Sequence, residues 1–482
     1  MKTTARLTHD KVRFDQSRDL HLVASLEAPS LRWQEQRPRV CIIPVIDVSG
    51  SMQGPKLHHA KQSVLKLIDH LAPGDLCGVV TFTDEVATLA PPLEMAQARK
   101  DALKAAVGQL EPQGSTNFAG GLLAGLEHAA RAQVPAGMVK RVIMFTDGLP
   151  NVGVATKGSE LLPLLEAHLG EATVSAFGYG EDADQELLRD LAARGKGNYA
   201  FVRNPEDALA AFARELGGLL STYARDVELV VRPAAGARLV DVVSDVDARE
   251  EGGAVRIRIP DVLSEEVRHV VLGVHLDATA APGRAPVALV EGRYVVVDAD
   301  TRRSREERFE LPVEVERVLA GQEQVAATVE VDQVVALAQL VRAQIDAEVR
   351  ARSGDFREAQ RIVHALLGSL RSRGRDAAAE ACERILGSVA DGAAYQASSA
   401  FRTSFRKGAT RGASSMIDAD AAVLLRKAGV QTSTSGQDEM VKSFGASGAS
   451  GAGERPRRNG GRGTGKVPGG GKSLTRKRSR RW

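Results

Sequence analysis

Aromatic residues are scarce in this 482-residue chain, at 4% of the total, so Val, Leu, Ile and Ala must carry the packing of any core. Glycine, at 47 residues, is plentiful enough to leave room for segments that do not pack at all. The three cysteines, Cys41, Cys77 and Cys382, lie far apart and show no metal-ligand spacing. That excludes a disulfide framework and a cysteine zinc site, and suits a reducing compartment. No run approaches the roughly 18 apolar residues of a membrane span, and the start, Met1-Lys2-Thr3-Thr4-Ala5-Arg6, has no apolar signal core. A cytoplasmic location is the expectation. Gly-x-Ser-x-Gly is missing, which argues against a hydrolytic serine at Ser49 or Ser51. The phosphate-loop pattern is missing too, so Gly178-Tyr179-Gly180, followed by Glu181 and Asp182, reads as a strand-to-helix turn.

The formal charge of +3 conceals an uneven distribution. Residues 454–482 hold eleven Lys and Arg against Glu454 alone, a segment of +10 on a body of −7. Polyanion binding, of nucleic acid or anionic lipid, is therefore to be sought in that tail. Its one aromatic, Trp482, removes base stacking as a source of specificity.

What is present is a clear change of period along the chain. Residues 37–224 alternate short apolar strands with amphipathic helices, the pattern of a parallel sheet covered on both faces. Val40–Ile46 reads as a central buried strand in which Pro44 marks a bulge; further strands are expected at 77–82, 142–145, 174–177 and 199–202. Helices are expected over 55–71, 97–110, 118–132, 158–169, 183–194 and 205–222. From residue 225 to 320 the period becomes two, as in half-buried antiparallel strands, and Leu20–Leu26 within residues 1–36 shares it. The α/β region is thus expected to be inserted in a β-sandwich fed by both flanks. Residues 326–408 return to helical stripes and predict a hairpin or small bundle with a turn at Ser353-Gly354-Asp355-Phe356. From 432 to 482, Gly, Ser and basic residues predict disorder.

Asp47, Ser49 and Ser51 fall between the first central strand and the helix after it, where an open α/β sheet presents its crevice. One carboxylate and two hydroxyls on a turn loosened by Gly50 are hard oxygen donors suited to Mg²⁺, with Mn²⁺ acceptable. The bland alternative, a turn and helix cap, uses the same residue types.

Asp-x-Ser-x-Ser after a hydrophobic strand resembles the first element of the metal-ion-dependent adhesion site (MIDAS) of von Willebrand factor A (vWA) domains. That family takes a Thr from a second loop and an Asp from a third. Gly114-Ser115-Thr116-Asn117 and Phe145-Thr146-Asp147-Gly148 stand at the matching places, so the resemblance implies that Thr116 and Asp147 complete the site. It implies a doubly wound, Rossmann-like α/β fold for the domain. It also implies direct ligation by Ser49, Ser51 and Thr116, with Asp47 and Asp147 acting directly or through water, and one position left for a partner's Asp or Glu. Thr146-Asp147-Gly148-Leu149-Pro150-Asn151 looks like the bacterial branch. The layout of flanking strands and C-terminal helices resembles bacterial cytoplasmic relatives of the inter-alpha-trypsin inhibitor heavy chain.

The implied function is non-enzymatic, cation-dependent capture of a protein partner. The rivals are an accessory subunit of an AAA-type ATPase in metal insertion or cofactor maturation, and a nucleic-acid-associated protein working through its tail. Asp84 and Glu85 read as a solvated pair at a strand end, and His58 and His59 as solvated helix residues. Asn117 either orients the Thr116 loop or caps the helix behind it.

Overall fold

The computed structural model describes residues 1–31, 38–134, 138–148, 150–180, 183–202, 205–259, 261–297, 304–411 and 419–444. The basic segment 454–482 lies outside these, as does most of the expected disordered tail.

The chain opens with β1 (Lys2–Leu7), β2 (Lys11–Arg13) and β3 (Arg18–Glu27), then enters the α/β region at β4 (Val40–Asp47). That strand is buried along its whole length, which its unbroken apolar run requires. Next come α1 (Pro55–His70), β5 (Leu76–Phe82), β6 (Val86–Glu94), α2 (Gln97–Gly108), α3 (Phe118–Arg131) and β7 (Val139–Thr146). The region closes with α4 (Gly158–His168), β8 (Thr173–Tyr179), α5 (Gln185–Arg194), β9 (Lys196–Val202) and α6 (Pro205–Leu220). The sheet order is β6-β5-β4-β7-β8-β9, parallel except for the edge strand β6. Apolar side chains cover both faces: Ile42, Ile46 and Phe145 on one pack with α1 and α6, and Ile43, Val45 and Val142 on the other pack with α3. Pro44 makes no bulge. The β4–β5 register is the same on either side of it, with Ile42 opposite Cys77 and Val45 opposite Val80, and Pro44 itself lies opposite Ile143 of β7. A missing N–H costs one rung of a ladder and leaves the alignment intact.

The chain leaves this domain along β10 (Thr222–Pro233), followed by β11 (Ala237–Val242), β12 (Asp247–Glu251), β13 (Ala254–Ile259), β14 (Val262–Leu263), β15 (Val267–Leu276), β16 (Gly283–Val297) and β17 (Ser304–Val318). One sheet runs β1-β3-β15-β11, and the other runs β12-β13-β10-β16-β17-β2 with β14 on β10. N-terminal strands enter both sheets. Leu7, Leu20 and Leu22 share one core with Val227, Leu229, Ile257, Leu272 and Val290, so the α/β domain is an insertion in a sandwich.

The opposite face of β15 is buried as well, because Val271 and Val23 lie under Val331 and Val335 of α7 (Val329–Arg352). α8 (Phe356–Ser372) turns back at Gly354, which has φ +81°, and Asp355 caps it by accepting from Glu358 N at 3.1 Å. α9 (Asp376–Ser388), α10 (Gly392–Ala397), α11 (Ser399–Arg411) and α12 (Ala419–Lys427) complete a bundle around Leu340, Val363, Leu370, Ile385 and Phe405. The helical region thus runs past residue 408.

The start of the expected disordered segment needs a further correction. Residues 435–443 form α13, with a reciprocal capping box between Thr434 and Gln437. Met440, Val441 and Phe444 bury themselves in the α/β core beside Phe212, and Phe444 stacks on His70 at 4.7 Å. Gly217 permits the approach: a Cβ there would stand 2.8 Å from the Gln437 Cα. Three apolar residues in a polar, Gly-containing stretch give too weak a stripe to declare a helix, yet enough to dock one on a ready-made surface.

Candidate metal centre

Asp47 ends β4 opposite Phe82, and Thr146 ends β7 next to Phe145, which lies opposite Ile46. The chain passes from β4 to β5 on one side and later to β7 on the other, so these two strand ends flank the point where the sheet's winding reverses. Crevices of open α/β sheets form there. The turn after β4 is held by Met52 N donating to Ser49 O at 3.0 Å, and Gly50 N donates to Gly114 O at 3.1 Å. Gly50 faces that second loop, where a Cβ would make an ordinary contact at 3.4 Å with the same carbonyl.

Four of the five expected residues meet through their side chains. Ser49 Oγ lies 3.0 Å from Ser51 Oγ, and Ser51 Oγ donates to Asp147 Oδ1 at 3.0 Å. Asp47 Oδ1 accepts from Ser49 N at 2.9 Å, and its Oδ2 accepts from Thr146 Oγ1 at 2.6 Å. Thr116 is brought alongside by its backbone: its N–H donates to Asn151 Oδ1 at 2.8 Å, its carbonyl accepts from Asn151 N at 3.2 Å, and Gln113 N donates to Val48 O at 2.7 Å. Asp47, Ser49, Thr116 and Asp147 are all buried.

Asp47 has no ion-pair partner among the described residues, and burial pushes its carboxyl up to about 6 despite the Ser49 and Thr146 hydrogen bonds that favour the charge. A buried carboxylate held by neutral donors is costly to ionise, and a bound cation removes that cost. No three His, Cys, Asp or Glu side chains converge on a site among the described residues, so a cation here relies on a mixed carboxylate and hydroxyl set. Such all-oxygen donors fit Mg²⁺ or Mn²⁺ and do not suit a softer metal.

Several supporting residues escape a reading by motif. Lys56, on the first turn of α1, places Nζ 2.9 Å from Asp147 Oδ2, so both oxygens of Asp147 are engaged. Thr146 orients Asp47 and also accepts from Gly148 N at 2.9 Å. Asn151 aligns the Thr116 loop; it belongs to the Thr146–Asn151 fragment, which was its only signal. Asn117 caps α3, its Oδ1 accepting from Gly120 N at 3.0 Å, and its Nδ2 donates to Asp84 O at 3.2 Å on the turn between β5 and β6. Asp84 stays exposed while accepting from Ser115 N at 3.3 Å, and backbone hydrogen bonds hold its carboxyl below the usual range. His58 is exposed and His59 half-buried, edge to face with each other. The Tyr179 ring of the Gly178–Gly180 turn is buried.

An open, mostly parallel sheet with an oxygen cluster at its winding reversal defines a class of domain. Residues 42–215 match the family model of the von Willebrand factor type A domain, and the chain carries such a domain. An uncharacterized protein of Synechocystis is 26% identical over 260 residues, which is 52% of this chain and 60% of that protein. Inter-alpha-trypsin inhibitor heavy chain H1 of Sus scrofa is 32% identical over 197 residues, 39% of this chain and 21% of that one. The matches therefore span less than two thirds of these relatives' length. Among solved structures, a von Willebrand factor type A protein from Catenulispora acidiphila superposes with a TM-score of 0.61 at 18% identity, covering 90% of this chain and 97% of that one. The shared fold extends well beyond the 42–215 domain. No helix among the described residues is long and apolar enough to cross a membrane.

Proposed function

We propose that the chain is a divalent-cation-dependent protein-binding module that captures an Asp or Glu side chain of a partner, and that it performs no catalysis. The observation that carries the reading is the juxtaposition of Asp47, Ser49, Ser51 and Asp147 at one strand-end crevice, with the buried Asp47 carboxylate lacking a counter-charge among the described residues. vWA domains commonly mediate protein–protein interaction, which agrees with it. Ser49, Ser51 and Thr116 supply neutral oxygens, Asp47 and Asp147 supply charge, and Thr146 and Asn151 fix Asp47 and the Thr116 loop in place. A Mg²⁺ or Mn²⁺ ion, when bound, supplies a Lewis-acidic position that a carboxylate fills more favourably than water in a partly dry interface. The three cysteines are buried and unpaired, which supports placing this activity in a reducing compartment such as the cytoplasm.

The test is calorimetric titration of Mn²⁺ into the full chain, with Asp47→Ala alongside, followed by partner capture in Mg²⁺ against EDTA. Loss of ion uptake in the variant, and loss of capture in both the variant and EDTA, is the expected result. Capture that survives EDTA and Asp47→Ala sinks the reading.

A further inference from the structure

The hydrophobic clusters on the two faces of the α/β sheet are built from that domain's own residues with one exception, Met440 and Val441 of α13 and Phe444 just after it. Among the described residues, no apolar side chain of the sandwich or of the helical bundle enters either cluster. The domain's other ties are its two covalent links, one after Glu27 and one at Ser221–Thr222, and individual hydrogen bonds such as Arg225 Nη1 to Met138 O at 3.1 Å and Arg189 Nη2 to Ser399 Oγ. Water can replace a hydrogen bond of that kind, whereas a buried apolar seat holds only while it stays dry.

α13 begins where the two links meet the sandwich. Glu265, in the turn between β14 and β15, is held at φ +65°, a left-handed conformation that a residue with a Cβ adopts only when its surroundings impose it. Its Oε2 accepts from Ser435 N at 2.9 Å and Ser435 Oγ at 2.7 Å, and its Oε1 accepts from Ser30 Oγ on the entering link at 2.8 Å. The neighbouring Ser264 N donates to Ser221 O on the leaving link at 2.7 Å. One turn thus grips both links and the start of α13. The helix then crosses α6 at Gly217 and ends at His70, whose ring stacks on Phe444 and whose Nε2 lies 3.0 Å from Ser443 Oγ. His70 is the last residue of α1, and the Asp47–Ser51 turn precedes the first, so α13 leaves the crevice uncovered.

We propose that α13 is a detachable strap across the hinge between the α/β domain and the sandwich. Docked, it fixes the angle at which the domain and its crevice stand on the sandwich; undocked, it lets the domain swing on its two links. Its size makes it detachable: a nine-residue helix is unstable alone in water, so it folds as it docks, and three apolar side chains are set against the ordering of the whole segment. Such a segment belongs to the least stable part of a fold and opens as a unit. The strap holds whatever the crevice binds.

Two substitutions evict the strap by different routes. Gly217→Gln favours the α6 helix while its Cβ would stand 2.8 Å from the Gln437 Cα, and Phe444→Ser removes the apolar anchor. Spin labels go on Ala98→Cys of α2 and Ala278→Cys of the turn after β15, both exposed, in the full chain, and the three native cysteines are buried. Pulsed electron resonance reads the distance between domain and sandwich, hydrogen exchange reads the docking of residues 435–443, and a thermal melt confirms that each variant folds. Both variants are expected to exchange the α13 amides about tenfold or more faster than wild type and to turn one narrow distance into a broad or shifted distribution. Faster exchange with the wild-type distance overturns the proposal and makes α13 a passenger on a hinge set elsewhere. Unchanged exchange in both variants overturns it too, because the helix is then no detachable unit.

Discussion

Two buried carboxylates in this chain live under opposite conditions. Asp332, on the first turn of α7, is met by Arg373 Nη1 at 2.8 Å and Arg375 Nε at 2.7 Å, and Arg373 also donates to Gln339 Oε1 at 2.9 Å. Asp47, at the end of β4, meets neutral donors, the Ser49 backbone N–H and hydroxyl and the Thr146 hydroxyl, and no cation among the described residues pairs with it. The first charge is over-compensated and locks the α7–α8–α9 corner together. The second is under-compensated at a crevice that a loop and two strand ends define. A saturated buried charge is a fastener, whereas an unsaturated one at a crevice is a demand for a ligand.

The comparison breaks most visibly at Asp332. Asp332→Ala leaves two guanidiniums facing each other over a vacated carboxylate and is expected to cost roughly 3 kcal/mol in urea unfolding, with Mn²⁺ uptake unchanged. Asp47→Asn should do the reverse: ion uptake is lost, and the variant in EDTA at pH 7 gains up to about 3 kcal/mol over wild type, because no buried charge has to be formed. A loss of stability in EDTA would place Asp47 in the same class as Asp332.

The sign follows through pH. The folded-state value of Asp47 is raised to about 6 from 3.8, so its contribution to metal-free stability is fully present below 3.8 and is lost as pH rises through about 6. Melting temperatures in EDTA from pH 4 to 7 should therefore show wild type falling relative to Asp47→Asn over that window. Proton and cation also compete for the carboxylate, so Mn²⁺ affinity should weaken as pH drops below about 6. A difference curve flat with pH would remove the counter-charge argument. The smallest effect is expected at Asn151→Ala, which strands the Thr116 N–H and should weaken Mn²⁺ uptake severalfold with little change in melting.

Much of this architecture was written in period and composition. The central strands announce themselves because a parallel strand buried on both faces must be apolar throughout, and β4 is. The Asp47-x-Ser49-x-Ser51 turn was legible for a related reason: ligands close in sequence are brought together by local geometry alone. What escaped was set by neighbours. β6 carries Pro91 and Pro92 and only partial alternation, and it forms because the edge of β5 offers it a ladder with bulges. α13 forms because the surface around Phe212 and Gly217 awaits Met440 and Phe444. Neither segment declares itself in isolation, since its stabilisation comes from a partner more than a few residues away.

By itself, then, the sequence determined an α/β domain inserted in a β-sandwich, a helical region behind it, and one oxygen-rich turn, because each of these follows from side-chain periodicity or from ligands adjacent along the chain. Tertiary structure alone decided which carboxylates are compensated. Lys56 and Asp147 are separated by 91 residues and Asp332 and Arg375 by 43, and whether a buried charge is paired or left wanting depends on distances in space that no local pattern encodes.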